Sequence, residues 1–528
     1  MIRKMLFVRP PAWEMSETAK NQNIIHGTVP YGVLSIMSYV NKYKKSDIDL
    51  NILDLNVYPW TSYNQQELFD NFKEYIENHN YDIVGISIMY NHMYSYIESI
   101  SRIIKGVNTN AVTIVGGACA TVYYDKILDE CESIDAVCYS EGELPVLDLL
   151  ESEDILEVLR VHQAFITKKE ILNKKIPVPM YIYDLDEIPA IDFDLIDLSL
   201  YLNKFSIMRP KEVKDEFCLP ITTTRGCPYS CIFCTSNTLS GKTIRKASAE
   251  KVLSDIKQMK DKYNVNTISI DDDQFLYDRN RAIDILKGLI NLKLNLFVAS
   301  GFTISLIDDE IIGLMKKAGL QMITLPIESG SPYIAHKVIH KPIKLDKVSE
   351  VVSKLRKNGI YCHGNIIIGF PTEKEEHRQE SIDFIKQSGI DWCYIFCATA
   401  LKGSKLYDIC IENNYIDSEI SKDGYFASHI ETPDFSSKEI TDKSYLMNLE
   451  LNFVCNNNMK RQEYDTAIIY FKHIVSKYKD HAFAHYYLAK CYEAIEDTNN
   501  YTNHLNEFNK IILDSEIWKQ YSKQFGLI

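Results

Sequence analysis

The chain has 528 residues, 46% hydrophobic and 25% charged, with a formal net charge of -14 at pH 7. At roughly 100 to 200 residues per domain this length gives about three or four domains, and core size is no constraint. The negative balance opposes sequence-independent binding of nucleic acid, and apolar runs such as 81–89 and 365–371 are far shorter than the ~20 residues of a membrane helix. The 13 cysteines are an odd number in a chain whose start reads as a strand rather than a leader. A reducing, cytoplasmic setting is expected, with no disulfide framework.

From 1 to 151, short apolar runs at 5–8, 50–53, 83–87, 112–116 and 136–139 alternate with helical patterns. Such alternation predicts a doubly wound, Rossmann-like parallel sheet, which takes ligands at the carboxyl ends of its strands. Gly85, Ser87, Gly116, Gly117 and the Glu141-Gly142-Glu143 turn fall at such ends. Glycines there serve as turns as often as they admit a bulky ligand. Residues 152–216 lack a steady period, contain Pro177, Pro179 and the acidic stretch 183–189, and read as a linker.

A second alternating series occupies 217–410, with strands predicted at 219–224, 267–271, 296–300, 322–328, 361–368 and 392–398, and helices such as 249–263 and 345–358 between them. Six strand-helix units predict a partial (β/α)6 barrel of the TIM type, whose chemistry sits at the carboxyl ends of the strands. The first strand delivers Cys227, Cys231 and Cys234 in C-x3-C-x2-C spacing. Thiolates so spaced can hold three irons of a 4Fe-4S cube and leave the fourth iron open to a substrate or cofactor. A structural zinc site would want a fourth Cys or His close by, and the nearest candidate is Cys218 upstream. After the connector 411–435, residues 436–528 are wholly helical in pattern. Ala467 and Phe471 recur 34 positions later as Tyr501 and Leu505, which with 484–492 resembles a tetratricopeptide (TPR-like) helix pair. One or two such repeats cap a barrel or dock a protein partner, and capping is the simpler reading.

The cysteine loop, preceded by Arg225-Gly226 and with Phe233 before its last cysteine, resembles the radical S-adenosylmethionine (radical SAM) superfamily. Further segments agree in order: 270–275 resembles the acidic strand end that receives the methionine amino group, 327–331 the segment that takes ribose hydroxyls, and 364–371 the glycine-bearing strand against the adenine. The resemblance therefore implies S-adenosylmethionine contacts from Phe233, Asp272, Asp273, Glu328 and Gly369. Carboxylates near an ammonium and a ribose diol would make charge-assisted hydrogen bonds. Alone, an Asp-Asp-Asp run is more often a solvated turn or a magnesium site, and a lone Glu after a strand a rim residue. No glycine-rich phosphate loop accompanies them.

The amino-terminal segments 9–11, 29–33, 84–87, 115–121 and 140–143 are similar to the cobalamin-binding domain that precedes the barrel in one large branch of that superfamily, the class B methyltransferase-like enzymes. Cobalamin is thereby implied at Gly85, Ser87, Gly116, Gly117, Glu141 and Gly142. The Asp-x-His-x-x-Gly motif of histidine-ligated cobalamin is replaced by 54–59, which has no His, so the resemblance implies cobalt without a protein imidazole, or a fold that has lost the cofactor.

The segment 299–304 lacks the arginine, and 398–404 the proline, often found in the family. Both changes line the expected substrate side. Cys393 and Cys397 share one face of a strand, but no paired cysteines follow, so a second cluster is not expected. Cys119, Cys131, Cys138, Cys362, Cys410, Cys455 and Cys491 read as buried structural thiols.

The implied activity is cleavage of S-adenosylmethionine to a 5'-deoxyadenosyl radical, followed by cobalamin-dependent methylation of an unactivated centre in a small molecule, lipid or peptide. A reductant such as flavodoxin or ferredoxin would be needed. Cyclisation, oxidation or rearrangement without methyl transfer is the rival chemistry, and a partner-binding scaffold the rival of another class.

Overall fold

The computed structural model describes residues 2–12, 28–57, 60, 64–201, 216–298, 301–417 and 425–528. Residues 58–59 of the histidine-free stretch and 299–300 of the segment lacking arginine lie outside the described residues.

Six strands build the first sheet: β1 (Arg3–Arg9), β2 (Ile48–Asp54), β3 (Ile83–Ser87), β4 (Val112–Gly116), β5 (Ala136–Cys138) and β6 (Phe165–Ile166). Their order is β2-β1-β3-β4-β5-β6, parallel except for the antiparallel β6. The sheet thus continues past residue 151, because Phe165 and Ile166 are apolar enough to close its edge and are fully buried there. Both faces are covered, as a parallel sheet requires. Leu6, Val8, Val84, Ile86 and Val115 pack on one side, while Met5, Phe7, Ile83 and Ile114 pack on the other. Winding reverses between β1 and β3, and such a switch point opens a crevice at the strand ends.

The second α/β unit holds β7 (Cys218–Ile221), β10 (Thr267–Ile270), β11 (Asn295–Val298), β12 (Met322–Glu328), β13 (Tyr361–Ile368) and β14 (Trp392–Cys397), with the two-residue ribbon β8 (Thr224–Arg225) and β9 (Arg245–Lys246) beside the cysteine loop. Among the described residues the six long strands fall into two three-stranded parallel sheets, β11-β10-β7 and β12-β13-β14, rather than one hydrogen-bonded wall. One continuous apolar core joins them, running from Leu219 and Ile268 to Ile366 and Ile395. The helix Ala249–Tyr263 shows why the local sequence folds so: Ser248 caps Lys251 N–H, Val252, Ile256 and Met259 face inward at helical spacing, and Asn264 ends it at φ 58°.

The carboxyl-terminal region is helical, with Tyr464–Lys477, Ala482–Ala494, Thr498–Asp514 and Glu516–Gln524 around a core of Phe453, Phe471, Phe483 and Leu488. It lies along β14, the edge of its sheet. Asn452 accepts from Cys393 N–H at 2.8 Å and donates to the Cys393 carbonyl at 2.7 Å, so one carboxamide stands in for a neighbouring strand. Of the cysteines expected in cores, Cys455 is the exception. It is only half-buried, at the turn that ends a π-helical stretch. Cys393 and Cys397 are buried free thiols. No helix among the described residues is long and apolar enough to cross a membrane.

Candidate functional site

The cysteine loop leaves the carboxyl end of β7 and is fastened on several sides. Cys227 N–H donates to the Gly241 carbonyl (3.1 Å), Ile232 N–H to the Ile339 carbonyl (3.1 Å), and Leu406 N–H to the Ile232 carbonyl (2.7 Å). Ile232 is buried, while Cys227, Cys231 and Cys234 remain half-exposed around it. Gln274 donates its carboxamide N–H to the Cys227 Sγ (3.6 Å), and Ser236 lies 3.3 Å from the Cys234 Sγ. Burial pushes the Cys231 thiol up to about 11, with the Lys341 ammonium opposing it. Among the described residues no three His, Cys, Asp or Glu side chains are grouped to hold a single metal ion. Three thiols spread along one loop, without a fourth ligand, fit the separate corners of a cube better than one tetrahedral zinc.

The two aspartates differ. Asp272 is buried and turned inward: its carboxylate accepts from Thr223 N–H, from the Thr223 hydroxyl (2.5 Å) and from Thr224 N–H (2.9 Å), and burial raises it to about 6. Three of its acceptor sites are thus engaged by the segment that follows β7, which leaves it less open to a methionine amino group than Asp273. Asp273 faces the loop, accepting from Gly226 N–H (2.7 Å) and from the Ser236 hydroxyl (3.4 Å), and is half-exposed.

Glu328 ends β12 after a register shift and holds φ 66°, a left-handed backbone in a buried, non-glycine residue. Its carboxylate accepts from the Lys341 ammonium at 3.1 Å. Burial would lower the lysine, but Glu328 and Cys231 outweigh it and hold Lys341 above its ordinary value. Strain of this kind persists where the surroundings over-determine a functional geometry.

Phe233 and the end of β13 come together, with the Phe233 ring 6.1 Å from that of Phe370. Gly369, at φ 90°, has no room for a side chain: a Cβ would meet Ile440 at 2.7 Å. Its glycine is thus required by the helix Ser437–Leu449, whatever lies on the other side. Nearby, Asn365 stands opposite Tyr394 in the β13–β14 register, and its Oδ1 is buried with no hydrogen-bond partner. A bound ligand's N–H or O–H would satisfy that acceptor. With Asp273 and Glu328 both close to the cysteine loop, the residues present fit S-adenosylmethionine.

At the carboxyl edge of the first sheet the expected cobalamin residues divide. Ser87 and Gly116 are half-exposed strand ends, and Gly117, at φ 102°, lets the chain pass so close to Ile88 that a Cβ would lie 2.4 Å from its carbonyl oxygen. Met89 and Tyr90, which follow β3, are 56% and 44% exposed. This open apolar rim at the switch point fits a broad cofactor. Three positions do not fit. Gly85 is buried within β3, where a Cβ would meet Met5 Cε at 2.9 Å, so it serves sheet packing. Gly142 admits Ile36, and Glu141 is engaged by two arginines, its oxygens 3.0 Å from Arg225 and 2.5 Å from Arg245.

The two units meet with these strand ends facing one another. The Ser140 hydroxyl donates to the Leu239 carbonyl (2.6 Å), Tyr31 OH accepts from Thr222 N–H (3.1 Å), and Lys402 pairs with Asp125 (2.5 Å). Lys341, Gln274 and Asn365 were not singled out in the sequence, because their placement depends on chain segments that only the fold brings together.

The Radical SAM superfamily model matches residues 221–385 and the B12 binding domain model residues 28–150. The chain is 28% identical over 415 residues to an uncharacterized methyltransferase of Pyrococcus horikoshii, covering 79% of this chain and 84% of that protein. It is 26% identical over 458 residues to cytidylyl-2-hydroxyethylphosphonate methyltransferase of Streptomyces wedmorensis, again 79% and 84% of the two chains. In fold it is similar to the radical S-adenosylmethionine methyltransferase TsrM from Kitasatospora setae, solved with cobalamin and a 4Fe-4S cluster, with a TM-score of 0.63 at 14% identity over 83% of this chain and 81% of that one. The chain thus carries a radical SAM domain over 221–385, preceded by a B12-binding domain over 28–150.

Proposed function

We propose that the protein is a cobalamin-dependent methyltransferase acting on an unactivated centre of an apolar, ring-bearing or chain-like small molecule, lipid or peptide. The observation that carries this reading is the meeting of two strand-end surfaces, the cysteine loop on one and the open rim at Ser87, Met89 and Tyr90 on the other. Cys227, Cys231 and Cys234 would hold a 4Fe-4S cluster, Asp273, Glu328, Phe233, Gly369 and Asn365 S-adenosylmethionine, and Ser87, Gly116 and Gly117 the corrin. When bound, the cluster and S-adenosylmethionine supply a radical that removes hydrogen, and cobalamin supplies the methyl group. The chain's own residues bind, orient and exclude water. Gln274 and Ser236 fix two thiol-bearing positions, and Lys341 balances the charge of Glu328.

The substrate reading is supported by aromatic side chains at the end of β14. Phe396 lies 6.3 Å from Tyr425 and 5.7 Å from Phe426, which are 51% and 71% exposed. Exposed aromatics grouped at a mouth suit an apolar ligand.

The finer architecture belongs to the same proposal: a cobalamin domain over 1–151 that β6 extends to residue 166, a linker over the rest of 152–216, a partial (β/α)6 barrel over 217–410, a connector over 411–435, and a TPR-like region over 436–528 that caps the barrel and leaves room for a protein partner. A flavodoxin or ferredoxin would supply the electron. Anaerobic reconstitution followed by ultraviolet-visible spectroscopy and mass spectrometry tests the function. Bound cobalamin and a methylated product are expected, and the absence of both would sink the methyltransferase reading in favour of cyclisation, oxidation or rearrangement.

A further inference from the structure

We infer that Glu141 and Glu143 are positioning residues that clamp the cysteine loop to the B12-binding domain, so that the first domain sets the alignment of the loop in the second. Arg225 lies two residues before Cys227, on β8, directly opposite Arg245 on β9. Two like charges in one cross-strand pair repel unless each finds a partner. Both partners come from the turn after β5, in the other domain. Glu143 accepts from Arg225 at 2.7 Å and from the Ser35 hydroxyl at 2.6 Å. Glu141 receives Arg225 at 3.0 Å and Arg245 through both oxygens, at 2.5 and 2.8 Å. Arg245 is closed in by the Tyr181 ring, 4.3 Å away, and by the Ile182 and Ser240 carbonyls, each at 3.0 Å.

The network is largely buried, contains two cations and two carboxylates, and immediately precedes Gly226 and Cys227. A guanidinium held by two carboxylates has few rotamers left, so the loop that follows inherits the orientation of the amino-terminal domain. Loosening the clamp should leave the thiols in place but let the two strand-end surfaces drift, which uncouples what happens on one from what happens on the other.

The test uses the full chain carrying E141Q and E143Q together, which keep shape and remove charge, and Ser35→Ala, which removes the hydroxyl that donates to Glu143 and accepts from Arg225 at 3.3 Å while leaving all four charges. Amide hydrogen exchange of 226–236 is measured against global thermal unfolding as a control. Iron and sulfide content, 5'-deoxyadenosine and methylated product are measured after anaerobic reconstitution. Exchange across 226–236 is expected to accelerate at least fivefold in the double variant and about twofold in Ser35→Ala. Cluster content should be kept, while the ratio of methylated product to 5'-deoxyadenosine falls severalfold. Unchanged exchange and an unchanged ratio would overturn the clamp, as would cluster loss with an unchanged ratio per remaining cluster, which marks fold integrity alone. The ratio rests on the proposed methyl transfer. If the wild-type chain makes no methylated product, that proposal fails while the exchange measurement still decides the clamp.

Discussion

Glu328 and Lys341 form a largely buried ion pair, 3.1 Å long, beside Cys231 and at a backbone position that only strain explains. Replacing Lys341 by Met leaves Glu328 facing the cysteine loop uncompensated, and breaking such a pair costs about 3–5 kcal/mol. Removing the cation also disfavours any added negative charge on the neighbouring cluster. Lys341→Met should therefore shift the cluster's reduction potential to more negative values and lower the melting temperature, as read by spectroelectrochemistry and calorimetry. An unchanged potential would separate Lys341 from the cluster.

Cys231→Ala should abolish iron and sulfide incorporation beyond background and remove 5'-deoxyadenosine formation, because it takes away one of only three thiolates in the C-x3-C-x2-C loop. The melting temperature should change little, since Cys231 is half-exposed. Retained 5'-deoxyadenosine formation would refute the cluster assignment.

Elements whose signal is local were legible. The five parallel strands of the first sheet, the six of the second unit and the helix Ala249–Tyr263 lie within a few residues of their sequence positions, since apolar alternation and caps are local. The cysteines were legible from spacing. What spacing does not contain is which way a side chain turns. Asp272 and Asp273 are adjacent in sequence, yet one is engaged by the segment that follows β7 while the other faces the loop. Gly85 and Gly117 look alike in a strand-end motif, but one fills a packing need inside the sheet and the other a tight pass at its edge. Glu141 was read as a ligand residue because its arginine partners lie 84 and 104 positions away.

Those two glycines make a direct comparison. Gly117→Ala places a methyl group against the Ile88 carbonyl at positive φ, where neither backbone can yield, and should cost about 1–3 kcal/mol. It should also weaken cobalamin retention on gel filtration. Gly85→Ala clashes with the flexible end of Met5 and touches the Phe7 ring at 3.4 Å, so retention should match the wild type with a smaller loss of stability. Equal loss of cobalamin in both variants would return Gly85 to the binding site.

Glu373 is wholly buried, accepts from Gly369 N–H, and is raised by burial from 4.5 to about 7, with Arg378 opposing. Because the folded value lies above the unfolded one, the folded state holds this proton more tightly. Its contribution is complete below about pH 4.5 and is lost as pH rises through 7, a swing of about 3 kcal/mol. Glu373→Gln should remove this slope, so that the variant gains on the wild type in urea midpoints between pH 5 and 8. Parallel pH profiles for the two chains would place the ionised form in the fold.

On the rival scaffold reading, and not on the simpler capping one, residues 436–528 would come away and leave cleavage of S-adenosylmethionine intact. Their contacts lead to a different expectation. Tyr470 stacks on Trp392 of β14 at 5.6 Å, and its hydroxyl lies 2.9 Å from the Nε2 of His363, which burial holds down near 3. Asp391, at the start of β14, is paired with Arg356 and with Arg461 from the helical region (2.9 Å). Removing 436–528 would bare the edge of β14 together with Trp392, a template for strand addition. The truncated chain should aggregate. Asn452→Ala, in the full chain, removes the two hydrogen bonds to Cys393 and should cost about 2 kcal/mol while leaving the protein folded. Sedimentation and thermal unfolding decide this: a monomeric 1–435 fragment with the melting temperature of the full chain would show that the helical region is an attachment and not part of the barrel's support.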